Sequence, residues 1–350
     1  MKRSQKFLLA LIIIVGLIYF LVQTTLKAGV FTKIESISDY SETILPTHPG
    51  VEDITVDPQT NVAYLSAHDR RTPESTGDIF SINLNDSIRK PINLTKKMKI
   101  NEFRPHGISF LTLGGKKFLF VISHKNSKND IIKFEILADS LKYGSKYSST
   151  DFVSPNDILA VSEDQFFVTN DHGSRTKWKA LLADLTRIPT GNVVFYDGNT
   201  SKIVSEKLTY PNGIALSKDG KTIYVASTLE KSISVFEPQT QTNQLKLVDY
   251  FSTTYPPDNI EINKSGNLLV GCHPKLFAFM AHRKNAAKIS PSAIIEIDKD
   301  NFKNQKTLYL NDGQTISGSS VGAPYYFSET KQNLIIGSVF EPKVLFLEKK

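Results

Sequence analysis

PNGIALSKDGKTIYVAST, residues 211–228, carries the pattern that decides the fold. A polar pair, Asn212-Gly213, opens it, and Ile214 begins a short alternating run. Lys218-Asp219-Gly220 then signals a turn, since Asp and Gly accept the dihedrals that reverse a chain. A second apolar run from Thr222 follows, which reads as the returning strand of a hairpin.

The same order recurs along the chain. Glu52-Asp53-Ile54, His106-Gly107-Ile108, Asn156-Asp157-Ile158, Asn212-Gly213-Ile214, Asp258-Asn259-Ile260 and Ser319-Ser320-Val321 each open such a unit. Their aliphatic residues are 54, 50, 56, 46 and 61 positions apart. An apolar strand follows each time, as in VAYLSAHD from Val62 or KFLFVISHK from Lys117, and often a third, such as GDIFSINL from Gly77. A period of about 50 residues with four strands per unit is the signature of propeller blades. The reading is an all-β, six-bladed β-propeller over residues 44–350, preceded by a transmembrane helix.

Composition agrees: Tyr and Phe total 34 against 3 Met and 1 Trp, which favours strands. The net charge of +7 is spread through turns, with no basic helix or stripe, so no nucleic acid is expected. The single cysteine, Cys272, excludes an internal disulfide and thiolate-rich zinc sites. Neighbouring His273 should point to the opposite strand face, so Cys272 is read as core packing.

Phe7–Val22 is an unbroken apolar run behind Lys2, Arg3 and Lys6. Extended to Leu26, it reaches the roughly 20 residues that cross a bilayer. Cleavage after Ala28 would leave Leu26 where a small residue is wanted, so an uncleaved anchor is expected rather than secretion. The basic flank, residues 1–6, should stay in the cytoplasm. Residues 27–43 are a linker, and the propeller lies on the non-cytoplasmic side, where calcium is plentiful. Sequons occur at Asn85, Asn93, Asn199 and Asn263.

In a propeller the first strand of each blade lines the central channel, so the six opening pairs should meet at one mouth. Glu52, Asp53, Asn156, Asp157, Asn212, Asp258 and Asn259 pool carboxylates with amides. Four carboxylates in one narrow channel would repel one another without a cation, and all-oxygen donors suit calcium. The bland reading is that the pairs are hydrogen-bonding strand starts. His106 and His124 fall in one unit, and the Gly114-Gly115 turn would let them share a mouth as a general-base pair. Equally, each could cap a strand end.

Arg175–Arg187 reads as the one helix within the domain, with Trp178, Leu181, Leu182 and Leu185 on one face. The expectation is a lid packed on the blades, with a membrane-facing lid as the alternative. No Gly-x-Ser-x-Gly elbow, His-Glu-x-x-His, phosphate loop or dinucleotide fingerprint occurs.

Over residues 44–348 the chain resembles the calcium-dependent paraoxonase/arylesterase family. The motifs that carry this are VEDI at Val51, RPHGISF at Arg104, SPNDILAV at Ser154, TNDH at Thr169, PNGIALSKDGKTIYVA at Pro211, DNIEI at Asp258, VGCHP at Val270 and GSSV at Gly318. The resemblance implies two calcium ions per chain. Glu52, Asn156, Asn212, Asp258 and Asn259 match the catalytic ion's ligands, and Asp53, Asp157 and the Ile108 carbonyl match those of a structural ion. His106 and His124 match the pair held to activate water; Glu52 or Asp258 could be the base instead. Asp171, His172 and His273 match residues near the pocket. The implied substrates are lactones and aryl esters. The chain lacks the cysteines for the disulfide that mammalian members carry, so ring closure should rest on strand pairing. The charged loop His68–Arg71 and the stretch Phe277–His282 also depart from the family. A gluconolactonase-type sugar lactonase and a non-catalytic, calcium-stabilised binding propeller are the alternatives.

Overall fold

A computed structural model describes residues 3–72, 74–125, 128–239, 244–328 and 331–350. Six antiparallel sheets stand around one axis. The inner strands, in chain order, are Val51–Asp57, Pro105–Leu113, Pro155–Ala160, Pro211–Leu216, Pro257–Ile262 and Ser319–Tyr326. Each opens with the polar pair read from the sequence.

The blades hold together face to face. Strand side chains alternate between two faces, and both are covered by neighbouring blades, so the strands read as near-continuous apolar runs. Six apolar clusters fill the six blade interfaces. Phe120 and Phe152 lie between blades 2 and 3, Tyr224 and Val270 between blades 4 and 5, and Ile54 and Val321 between blades 6 and 1. Cys272 is fully buried in the cluster between blades 4 and 5, as expected.

Closure is by strand exchange. Tyr40–Pro46 forms the outer strand of blade 6, in register with Lys343–Lys349. Ile37–Ser38 adds a fifth, edge strand to blade 5 by pairing with Tyr309 and Leu310. The first and last long strands of the propeller therefore belong to one sheet, which does the work of a covalent staple.

Every inner strand carries a register shift at its polar pair: Val51/Asp53, Pro105/Ile108, Pro155/Ile158, Pro211/Ile214, Pro257/Ile260 and Ser319/Val321. A bulge breaks the alternation of side chains, so two consecutive residues can turn toward the axis. Crowding there explains the glycines. A Cβ on Gly107 would lie 2.5 Å from the Asn156 carbonyl oxygen, and one on Gly213 would lie 2.6 Å from that of Asp258.

Three helices complete the chain: α1 (Arg3–Lys27), α2 (Lys177–Thr186) and α3 (Leu276–Lys284). Helix α1 is long and apolar enough to cross a membrane, and none of its residues is buried. Helix α3 was not anticipated, because its apolar residues follow no clear helical stripe. The expectation that Trp178, Leu181, Leu182 and Leu185 pack α2 onto the blades fails. All four are exposed, along with Ile188. The face that docks instead presents Ala183 and Asp184, because Asp184 finds a charged partner below. The helices gather on one side of the ring. Glu230 pairs with Lys27 at the end of α1 and accepts from Arg187 Nη2 at 2.7 Å at the end of α2. The amide of Leu276 in α3 donates to the Ala28 carbonyl at 3.0 Å.

Candidate functional site

The polar pairs meet at the channel mouth. Asn259 Nδ2 donates to both the carbonyl and Oε1 of Glu52, each at 3.1 Å. Asn212 Nδ2 donates to Asp258 Oδ1, and Asp258 Oδ2 lies 2.8 Å from His273 Nε2. Blade 6 contributes support rather than donors to the set: Ser320 Oγ donates to the Glu52 carbonyl at 2.5 Å. Glu52, Asn156, Asn212, Asp258 and Asn259 are all buried.

Four oxygens in this group are buried without a hydrogen-bond partner: Glu52 Oε2, Asn156 Oδ1, Asn212 Oδ1 and Asn259 Oδ1. Each would be costly to desolvate alone. Three of the four belong to amides, the neutral oxygen donors from which a cation site can be built. Among the described residues no three His, Cys, Asp or Glu side chains form a metal cluster by themselves. The set works only with its amides, an all-oxygen mixture that fits a hard cation such as calcium.

Deeper in the channel, Asp53 accepts from the amides of Ile54 at 2.8 Å and Ile108 at 2.7 Å. Asp157 accepts from those of Ile158 at 2.7 Å and Ile214 at 2.8 Å. Backbone bonds fix both carboxylates and leave lone pairs over. Burial, and then the charge of Glu52 on Asp53 and of Asp53 on Asp157, holds both well above the usual carboxylate range. A shared cation would relieve that repulsion. The Ile108 amide is spent on Asp53, which orients the strand that carries its carbonyl.

At the mouth itself, Glu52 Oε2 lies 3.4 Å from His106 Nε2 and 3.8 Å from Arg70 Nη2. These are ion-pair distances, too long for strong hydrogen bonds. Burial pushes Glu52 up, but His106 and then Arg70 outweigh it and bring the carboxyl down to about 2. Asp258 is raised by burial, against the pull of His273.

His106 and His124 are brought together by an ordinary hairpin. Pro105 pairs with Ser123 across the Gly114-Gly115 turn, so the start of one strand meets the end of the next without a long connection. His106 Nδ1 is 2.8 Å from His124 Nε2, and His124 Nδ1 is 2.9 Å from Asn129 Oδ1. Asn129 Nδ2 donates to the carbonyls of Phe152 and Val153, so its oxygen is the acceptor. His124 therefore donates from Nδ1 and offers a lone pair at Nε2. Burial, reinforced by His106, lowers His124 to about 3 and keeps it neutral. His106 must then donate from Nδ1, which leaves its Nε2, 3.4 Å from Glu52 Oε2, as the nitrogen that can exchange a proton at the mouth.

The other expected pocket residues divide. His273 joins the site through Asp258 and stacks on Phe279 of α3, with ring centroids 3.8 Å apart. Asp171 and His172 tether α2, and the charge of Asp171 also reaches His106 and His124. His172 Nδ1 is 2.8 Å from Asp171 Oδ1, its Nε2 is 2.8 Å from Asp184 Oδ1, and Ser154 also donates to Asp171. Burial disfavours the His172 charge, but the two carboxylates raise it to about 10. Asn129 carries no signal in the sequence, whereas Arg70 and Phe279 lie in the two stretches, His68–Arg71 and Phe277–His282, that depart from the family.

A family model described as Arylesterase matches residues 49–348. Serum paraoxonase/arylesterase 2 of Bos taurus is 32% identical over 287 residues, covering 79% of this chain and 78% of that protein. Serum paraoxonase/lactonase 3 of Rattus norvegicus is 27% identical over 331 residues, covering 88% and 91%. Among solved structures, a gluconolactonase from Xanthomonas campestris superposes with a TM-score of 0.51 at 15% identity, over 91% of each chain, a likeness of fold.

Proposed function

The chain belongs to the arylesterase family of paraoxonase-related ester hydrolases, and from that premise we propose that it is a membrane-anchored, calcium-dependent hydrolase of lactones and aryl esters. The observation that carries the calcium reading is the burial of four oxygens without a hydrogen-bond partner, Glu52 Oε2, Asn156 Oδ1, Asn212 Oδ1 and Asn259 Oδ1, the first of them 3.4 Å from His106 Nε2.

Glu52, Asn156, Asn212, Asp258 and Asn259 would hold the outer ion, and Asp53, Asp157 and the Ile108 carbonyl an inner one that braces the channel. Bound at the outer set, calcium supplies a Lewis acid that polarises the ester carbonyl and holds the charge developing on its oxygen. The protein's own groups do the proton work. His106 takes a proton from water at Nε2, while His124 and Asn129 hold its ring and share the charge through Nδ1. Asp258, oriented by His273, is the second candidate base.

The helices favour a membrane location. Helix α1 would span the bilayer, and α2 offers Trp178, Leu181, Leu182, Leu185 and Ile188 to its surface on the same side of the ring. Glu230 ties the two helix ends together.

Residues 30–350 assayed on aliphatic lactones and phenyl acetate, with calcium and after chelation, test the reading. Turnover that disappears on chelation and returns with calcium supports it. Folded, calcium-loaded protein that turns over neither class would overturn it.

A further inference from the structure

Arg70 sits where the loop after the second strand of blade 1 crosses the channel mouth. Its Nη1 donates to the carbonyls of Gly50 at 2.9 Å and His68 at 3.2 Å, and its Nη2 donates to that of Pro105 at 3.3 Å. Three backbone acceptors fix the guanidinium, so it cannot swing out to water. It remains 15% exposed and points Nη2 at Glu52 Oε2, 3.8 Å away.

The charges around Arg70 decide its role. The carboxylates of Glu52, Asp258 and Asp53 are its countercharges, and Arg283 of α3 opposes them. All three carboxylates belong to the groups assigned above to calcium. Arg71 differs, because its countercharges are Glu341 and Asp69, outside that set, and it also rests 4.7 Å over the Phe340 ring. Glu52, Asp53, Asp157 and Asp258 carry four formal negative charges, which two divalent ions neutralise. Calcium loading would therefore take up the countercharges of Arg70 and leave its partly exposed cation beside the site.

We propose that Arg70 determines specificity: it gives the loaded pocket a fixed positive charge, so the preferred substrates are lactones or esters with a carboxylate beside the scissile carbonyl. This deepens the hydrolase reading and rests on it. The three-way grip needs a guanidinium fork, and a lysine could not reproduce it. Because the charge is held in place before substrate arrives, little ordering cost opposes its attraction.

The test compares γ-butyrolactone bearing a ring carboxylate with the corresponding carboxamide, which has nearly the same shape. Wild type should show a KM about tenfold lower for the carboxylate, as expected for a partly buried charge pair, with similar kcat. In Arg70→Met the ratio of the two kcat/KM values should fall to within about twofold of one, whatever the absolute rates. Calorimetry supplies a second readout: tetrahydrofuran-2-carboxylate should bind calcium-loaded wild type about tenfold more tightly than it binds Arg70→Met. If Arg70→Met does not fold, Arg70→Gln, which keeps donors for the backbone carbonyls, takes its place. Equal KM values in wild type, or a preference that persists in the neutral variant, would overturn the proposal. No turnover of either lactone by folded, calcium-loaded protein would defeat the hydrolase reading instead, and calorimetry would still decide for or against Arg70.

Discussion

His106 Nδ1 lies 2.8 Å from His124 Nε2, and this one contact dictates that Nε2, beside Glu52, is the nitrogen of His106 left to exchange a proton. The proton order runs back to the Asn129 amide, which can only accept from His124. His106→Gln should lower kcat by about 100- to 10,000-fold with folding intact, the range for a lost general base. Asn129→Leu touches no substrate but frees the His124 ring to reverse its tautomer. It should cost about tenfold in kcat with little change in KM, measured by steady-state kinetics.

Asn156→Ala should change sign with calcium. Without the ion it removes a buried oxygen that has no partner, so the melting temperature should hold or rise slightly. With calcium it removes a ligand, and the gain that bound ion gives wild type, about 2.7 kcal/mol at a hundredfold excess over Kd, should shrink. Thermal melts in calcium and in chelator check this, and a loss of equal size in both would contradict the ligand assignment.

Helix α2 should loosen in alkali. His172 lies between Asp171 and Asp184, with the Tyr210 ring edge-on at 5.1 Å, and its pKa is about 10 against an ordinary 6.5. A raised folded-state pKa means that its stabilisation is full below pH 6.5 and is lost as pH rises through about 10. Hydrogen exchange in α2, corrected for the intrinsic rate, should accelerate over that interval in wild type. In His172→Gln, α2 should already exchange fast at pH 6.

Trp178 is the chain's only tryptophan and is 63% exposed, so intrinsic fluorescence reports α2 alone. Residues 30–350 should show a blue-shifted, brighter emission on anionic vesicles, and Leu181→Ser with Leu185→Ser should weaken binding about tenfold or more. An unchanged spectrum at saturating lipid would contradict the assignment of α2 as a membrane contact.

The repeat was legible because each blade must begin with polar atoms at the channel and continue with a strand buried on both faces. That requirement writes the same pattern six times, from Glu52 to Ser320. The bulges were not legible, since a register shift leaves composition unchanged, yet they are what turn Asp258 and Asn259 the same way. Helix α3 was missed because LFAFMAHRK has no clean apolar stripe, its face being set by Phe279 stacking on His273. The outward face of α2 was misjudged because a packed stripe and a membrane-seeking one have the same periodicity, and only the Asp184–His172 contact tells them apart. Asn129 could not be foreseen, for its value lies in a hydrogen-bond direction.

The pairing of Tyr40–Pro46 with Lys343–Lys349 also fixes an order of events during synthesis. The strand nearest α1 emerges early and stays an unpaired edge until nearly all of the propeller has been made and has curled back to meet it. Until then blade 6 has no outer neighbour and the channel mouth has no sixth wall. A premature stop codon deleting little more than Lys343–Lys349 would therefore act at a distance, stranding Tyr40–Pro46 and baring Gln332–Ser338 as a sticky edge open to chaperones and proteases.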